Sequence, residues 1–181
     1  MSVANWKQIR LFVEGGDDLT FVKRVLEPRL KERYDHVQIH THANTSDDDL
    51  KRHFSSLERI GSDFFLLVDY DIGPCIAGVR QRYAQRYKPH LGEMRVLVVR
   101  PMIEAWYVAG VPSGNPFKAS IPPKVDSVDK QAFAQIFGKR AESRVERRVL
   151  LQQILAIYDW GLALQRSASL RYCALRLGVA E

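Results

Sequence analysis

The chain has 181 residues, of which 46% are hydrophobic and 27% are charged. This composition provides a core for one domain, or for one domain with a helical extension, and it excludes disordered and fibrous proteins. The net charge of +6 is uneven, because residues 118–181 hold 11 Lys and Arg against 6 Asp and Glu, whereas residues 1–117 hold 16 against 15. A basic C-terminal part is compatible with a nucleic-acid partner, although a solvated helix face is the simpler explanation of charge alone.

Membrane and disulfide classes are also excluded by the sequence. No stretch approaches about 18 consecutive apolar residues, and the N-terminus has no apolar signal core, so we expect a cytoplasmic protein with no membrane partner. The two cysteines, Cys75 and Cys173, are far apart and have no CxxC spacing. We therefore expect packed thiols rather than a disulfide framework or a zinc site.

Short apolar runs alternate with helical patterns along residues 1–109. The runs predict strands over residues 9–13, 37–41, 64–68 and 94–99. Four helices are predicted after them: one capped by Asp17 and interrupted at Pro28, one between Ser46 and Gly61, one over residues 76–87, and one that starts at Pro101. This alternation predicts an α/β, Rossmann-like domain with a central parallel sheet of about four strands flanked by helices.

Residues 110–181 have a different pattern. Residues 110–128 are rich in Pro and Gly and predict a long loop. Helical periodicity follows over residues 129–137, 141–158 and 167–177. We expect residues 1–109 to form the α/β domain, and residues 110–181 to form a loop and helical extension packed on it as one globular unit.

Carboxylates follow two of the predicted strands directly. Glu14 follows the first strand, and Asp69 and Asp71 follow the third. Because the carboxyl ends of parallel strands meet at one edge of a sheet, we expect these side chains to lie together. Residues i and i+2 of an extended segment project to the same side, and Gly15 and Gly16 leave room beside Glu14. Carboxylates crowded in this way predict a site for Mg²⁺ or Mn²⁺.

Two further carboxylates are candidates for a second metal position, and each has a structural explanation. Asp18 lies at the start of a helix, where it favours the helix dipole, and Glu104 is compatible with an ordinary first-turn glutamate. His40 and His42 share a strand face, but no third metal ligand is evident for them. We therefore place only Asp18 and Glu104 beside Glu14, Asp69 and Asp71 as metal ligands.

The two acidic motifs resemble the TOPRIM domain, over roughly residues 8–109. The first motif is VEGGDD at residues 13–18, before a helix, and the second is LVDYD at residues 67–71, at the end of a later strand. The segment VRPMIEAW at residues 99–106 is similar to small stand-alone TOPRIM-like bacterial proteins. These are related to the overcoming-lysogenization-defect nucleases and are often linked with phage defence. The closing SASLR at residues 167–171 is a weaker similarity to their tails.

The resemblance implies a TOPRIM fold and assigns roles to the acidic residues. Glu14 would be a metal ligand or general acid/base, Asp69 and Asp71 would hold Mg²⁺, and Asp18 would match the acidic residue four places after the glutamate. We find no tyrosine-bearing topoisomerase domain and no primase zinc module in the sequence, so topoisomerase and primase activities are not expected. The sequence has no GxxxxGK[ST] loop, so an ATP-driven step would need a separate ATPase or another defence-system partner.

The chemistry predicted for such a site is metal-dependent cleavage of phosphodiesters in DNA or RNA. We expect the nucleic-acid backbone to contact basic side chains, namely Arg100, Lys139, Arg140, Arg144, Arg147 and Arg148. Glu142 and Glu146 lie among the last of these and could pair with them. A catalytically degenerate binding module is the alternative, and a haloacid-dehalogenase-type phosphohydrolase is disfavoured because no threonine follows the second Asp. The sequence leaves open the choice of DNA or RNA and the formation of a homodimer.

Overall fold

The computed structural model describes residues 6–70 and 75–180. Within them, one sheet contains the strands Gln8–Val13 (β1), His36–Thr41 (β2), Asp63–Asp69 (β3) and Val96–Val99 (β4), in the order β2-β1-β3-β4. All the strands are parallel and the sheet is flanked by helices, as in Rossmann-like folds. The predicted fold class is therefore confirmed, and β2 lies at an edge of the sheet.

The register brings the carboxyl ends of three strands to the same edge. β1 pairs with β2 from Gln8 opposite His36 to Val13 opposite Thr41. On its other side, β1 pairs with β3 from Ile9 opposite Asp63 onwards. Because parallel neighbours end at the same edge, the carboxyl ends of β1, β2 and β3 lie together there.

The described residues form two compact units. Residues 6–68 and 75–98 are the N-terminal unit, and residues 69–70 and 99–180 are the C-terminal unit. The predicted division at residue 109, with the tail packed on the sheet, stays a prediction. No helix in the described parts of either unit has the length and apolar character needed to cross a membrane.

The helices of the N-terminal unit follow the predicted order. The prediction that Asp17 caps the first helix is wrong, because Gly15 holds the N-cap position. Asp18 supplies the capping contact, since the Gly15 N–H donates to Asp18 Oδ2 at 3.2 Å. Pro28 interrupts this helix as predicted, with a π-helical stretch before it. The helical segments are Gly16–Phe21 (α1), Val22–Leu26 (π), Glu27–Leu30 (α2), Asp47–Arg59 (α3), Ile76–Arg86 (α4) and Glu93–Arg95 (3-10).

An aromatic cluster forms part of the core of the N-terminal unit. The ring of Phe54, from α3, is fully buried and packs edge-on against Phe12 of β1, with 5.1 Å between ring centroids. It also stacks on Phe64 of β3 at 5.3 Å and meets Tyr87 edge-on at 5.5 Å. Aromatic pairs in these geometries stabilise a core beyond the area that they bury. The helix α3 is therefore fixed on β1 and β3, the two strands that precede the predicted carboxylates.

The C-terminal unit is helical, and the chain differs from prediction at three places from β4 onwards. β4 begins at Val96, because Met94 lies in the 3-10 turn before it. Pro101 is not the first residue of the next helix, which begins at Ile103. An additional short helix precedes the last one. The helical segments are Ile103–Ala109 (α5), Lys130–Phe137 (α6), Gly138–Ala141 (3-10), Arg144–Ala156 (α7), Trp160–Arg166 (α8) and Ala168–Leu177 (α9).

The loop between α5 and α6 is held by specific polar contacts. Arg166 donates from Nη1 to the carbonyl oxygen of Val111 at 2.6 Å. Further along the loop, Asp126 accepts from the Ser167 hydroxyl and the Ala168 N–H, both at 2.8 Å. Val111 and Val125 are fully buried. The loop is thus part of the core of the C-terminal unit.

Candidate functional site

Glu14 and His42 follow β1 and β2 at the same edge of the sheet. Val13 lies opposite Thr41, and the ladder continues by one bond, in which the His42 N–H donates to the Val13 carbonyl oxygen at 2.9 Å. Both side chains are half-buried. Burial lowers the pKa of His42, against the opposing effects of the Leu67 backbone carbonyl and the negative charge of Glu14. The imidazole is therefore neutral at neutral pH.

His42 is a site residue that sequence reasoning did not select. Its Nε2 atom is buried and has no hydrogen-bond partner among the described residues. In the sequence, no third metal ligand is evident for His42 and His40, so neither is predicted to bind a metal ion. The place of His42 directly after the second strand becomes meaningful once β2 is known to lie beside β1. A neutral imidazole next to a carboxylate can accept a proton or bind a metal ion.

Asp18 is buried, with 7% of its surface exposed. Its Oδ2 atom accepts from the Gly15 N–H in the turn that leads into α1. This contact matches the structural explanation, a carboxylate that stabilises the helix start, and its predicted role at a metal stays a prediction. Gly16 faces open space, since a Cβ at that position would meet no atom within 4 Å. The turn after Glu14 therefore leaves room for an incoming group.

Asp69 is the last residue of β3 and is half-buried. The next residue, Tyr70, is fixed through its backbone, because its N–H donates to the carbonyl oxygens of Val99 at 2.8 Å and Pro101 at 3.1 Å. Asp71 lies outside the described residues. The expectation that Asp69 and Asp71 face one ion therefore stays a prediction.

Glu104 and Arg147 form an ion pair within the C-terminal unit. Glu104 lies in the first turn of α5 with a side chain only 1% exposed, and its Oε1 accepts from Arg147 Nη2 at 2.8 Å. The Arg147 side chain is 19% exposed, and its guanidinium also lies 5.1 Å from the centroid of the Phe133 ring. Glu104 Oε2 is buried and has no hydrogen-bond partner among the described residues. A predicted metal ligand and a predicted phosphate contact are thus bound to each other.

The remaining predicted phosphate contacts are exposed. No carboxylate within the described ranges forms an ion pair with any of them, so the pairing with Glu142 and Glu146 that the spacing allowed is not formed in these parts of the chain. On α7 the basic face also carries two exposed apolar residues, Val145 and Val149. The exposed predicted phosphate contacts are Arg100 beside β4, Lys139 and Arg140 in the 3-10 turn, and Arg144 and Arg148 on α7.

The described residues contain no group of three or more His, Cys, Asp or Glu side chains arranged to hold a metal ion. The predicted set includes Asp71, which lies outside the described residues. The donor chemistry fits the ion, because carboxylate oxygens are the ligands that Mg²⁺ prefers. No protein-family model matches the chain, and no curated protein or solved structure matches it.

Proposed function

We propose that this protein is a Mg²⁺- or Mn²⁺-dependent nuclease that cleaves phosphodiesters of DNA or RNA, with Glu14, Asp69 and Asp71 as metal ligands. The observation that carries the proposal is the parallel pairing of β1 with β3, with Phe12 opposite Leu66, because each of these strands leads to carboxylates at its carboxyl end. The resemblance of the two motifs to the TOPRIM domain supports the same residues and the same ion.

A bound divalent cation would neutralise charge on the scissile phosphate and lower the pKa of a coordinated water. Glu14 would act as a ligand or would exchange a proton with the attacking water or the leaving oxygen. Water adds its oxygen to phosphorus, the bond from phosphorus to the leaving oxygen breaks, and that oxygen takes up a proton. Asp18 and Glu104 are the candidates for a second metal position.

Exposed cations of the C-terminal unit would hold the nucleic-acid backbone without reading sequence. Lys139, Arg140, Arg144 and Arg148 are exposed, and no described carboxylate competes for them. Each phosphate neutralised by such a residue releases counterions and makes binding dependent on salt. A role in phage defence and a separate ATPase partner follow from the TOPRIM resemblance and belong to the same proposal. A cytoplasmic location, expected because the sequence has no apolar signal core, belongs to it as well.

One observation favours a second candidate, a catalytically degenerate module that binds nucleic acid or a protein partner without cutting. Glu104, a candidate metal ligand, is already bound to a cation of the protein itself, the guanidinium of Arg147. A site in which arginine replaces a metal can still bind phosphates but cannot activate a water. Cleavage assays separate the two candidates.

The test compares purified wild type, Glu14→Gln and the double variant Asp69→Asn/Asp71→Asn on plasmid, single-stranded DNA and RNA with Mg²⁺ or Mn²⁺. The matched control is Asp48→Asn, which removes an exposed carboxylate in the first turn of α3. The nuclease proposal predicts metal-dependent cleavage by wild type and by the control, and its loss in the other two proteins. Binding without cleavage by wild type supports the module instead, and cleavage retained in Glu14→Gln contradicts the proposed site.

A further inference from the structure

Arg100 is fixed by its backbone to the start of the last helix. The hydroxyl oxygen of Ser169, in α9, lies 3.2 Å from the Arg100 nitrogen and 3.4 Å from its carbonyl oxygen. Trp106 Nε1–H donates to the same hydroxyl at 2.9 Å, and Asp126 Oδ1 lies 3.3 Å from it. Ser169 and Trp106 are buried. The backbone of Arg100 is therefore held by a buried polar network, although Arg100 itself is exposed.

Tyr70 belongs to the same arrangement. Its N–H is bonded to the carbonyl oxygens on both sides of Arg100, those of Val99 and Pro101. The Arg100 guanidinium lies over the Tyr70 ring, 5.5 Å from the ring centroid. No carboxylate among residues 6–70 and 75–180 forms an ion pair with Arg100. The structure thus presents a guanidinium over the ring of Tyr70, the residue directly after Asp69.

Such a pair has two binding capacities. A guanidinium offers a fork of donors that matches a phosphate, and its flat face stacks on aromatic rings and bases. Aromatic rings bind the faces of nucleobases that are not already stacked in a duplex. Among the described residues, the exposed cations of α7, such as Arg144 and Arg148, contact no aromatic ring in this way, which matches a simple role as backbone contacts.

We propose that Arg100 and Tyr70 form a nucleotide-binding site for unpaired nucleic acid, in which Arg100 binds a phosphate and the Arg100–Tyr70 stack receives a base. This inference rests on the proposed function and names its substrate class, single-stranded DNA or RNA. A duplex keeps its bases stacked inside and offers this site only a phosphate. The site therefore prefers single strands, or single-stranded regions of a larger molecule.

The test measures binding by fluorescence anisotropy in EDTA, so that no cleavage occurs, with a labelled oligothymidine and a duplex of equal length. Tyr70→Leu removes the ring, Tyr70→Phe keeps it, and Arg100→Lys keeps the charge but loses the flat guanidinium. We expect Tyr70→Leu and Arg100→Lys to bind the single strand roughly tenfold more weakly, as loss of one stacking contact does, with duplex affinity unchanged. Tyr70→Phe should bind as wild type does.

Other outcomes overturn the proposal in distinguishable ways. If wild type binds the single strand and both Tyr70→Leu and Arg100→Lys bind it equally well, the nucleotide site is wrong and the proposed nuclease function stands. An equal loss on single strand and duplex shows a phosphate contact only, which also overturns the base-stacking role. If wild type binds neither nucleic acid, the proposed function fails together with this inference. Circular dichroism checks the fold of each variant, and Arg100→Lys, at an exposed position, keeps the test valid if Tyr70→Leu unfolds.

Discussion

Replacing Arg147 by Met would leave the buried carboxylate of Glu104 without its ion-pair partner. Removing one partner of a buried pair costs about 3–5 kcal/mol, because the remaining charge is left in a poorly solvated environment. The Glu104 side chain is 1% exposed, but that of Arg147 is 19% exposed, so water can partly replace the lost guanidinium. We therefore expect a loss near the lower end of that range, about 3 kcal/mol in the free energy of unfolding.

Urea denaturation followed by circular dichroism measures this loss. The double variant Glu104→Leu/Arg147→Met removes both charges and should recover most of the stability, since a buried ion pair is often replaced by apolar residues at little cost. The control is Arg52→Met, which breaks the exposed ion pair with Asp49 and should cost less than about 1 kcal/mol. An Arg147→Met variant no less stable than Arg52→Met, or a double variant less stable than Arg147→Met, would refute the reasoning.

Two further predictions concern packing and pH. Gly110→Ala would place a Cβ 2.4 Å from the Tyr158 ring and should cost about 1–3 kcal/mol, whereas Gly92→Ala, with nothing within 4 Å, should change the urea midpoint little; equal midpoints would contradict the packing. The folded pKa of His42 lies below its ordinary value of 6.5, so the unfolded state binds more protons and stability falls as the pH drops below about 6.5. His42→Asn should flatten this fall in metal-free buffer, and an unchanged pH profile would contradict the burial of the imidazole.

The fold followed from the sequence where local signals were sufficient. The apolar run Phe64–Val68 predicted a strand covered on both faces, and β3 occupies it. Ser46 predicted the start of a helix, and its hydroxyl accepts from the Asp49 N–H at the start of α3. Both signals lie within a few residues of the element that they define.

The errors arose where distant residues decide the backbone or where an element is short. Pro101 does not start α5, because its carbonyl oxygen accepts from the N–H of Tyr70, 31 positions earlier in the sequence. α8 was missed because it has only seven residues, too few for helical periodicity to be visible.

The candidate site could be predicted only in part, for the same reason. The acidic ends of β1 and β3 are visible as motifs, because a parallel sheet brings such ends to one edge. The ion pair between Glu104 and Arg147 joins residues 43 positions apart, and no local pattern predicts it. His42 became a candidate only when the order of the strands placed β2 next to β1.

Manganese binding to the purified protein tests the metal site most directly. Electron paramagnetic resonance of free Mn²⁺ gives the affinity of wild type, Glu14→Gln and Asp69→Asn, with Asp48→Asn as the control. We predict that wild type and Asp48→Asn bind the ion, and that Glu14→Gln and Asp69→Asn each bind it at least about tenfold more weakly, because each loses a carboxylate ligand. Absence of Mn²⁺ binding by wild type, or equal affinity in all four proteins, would contradict a metal site at the ends of β1 and β3.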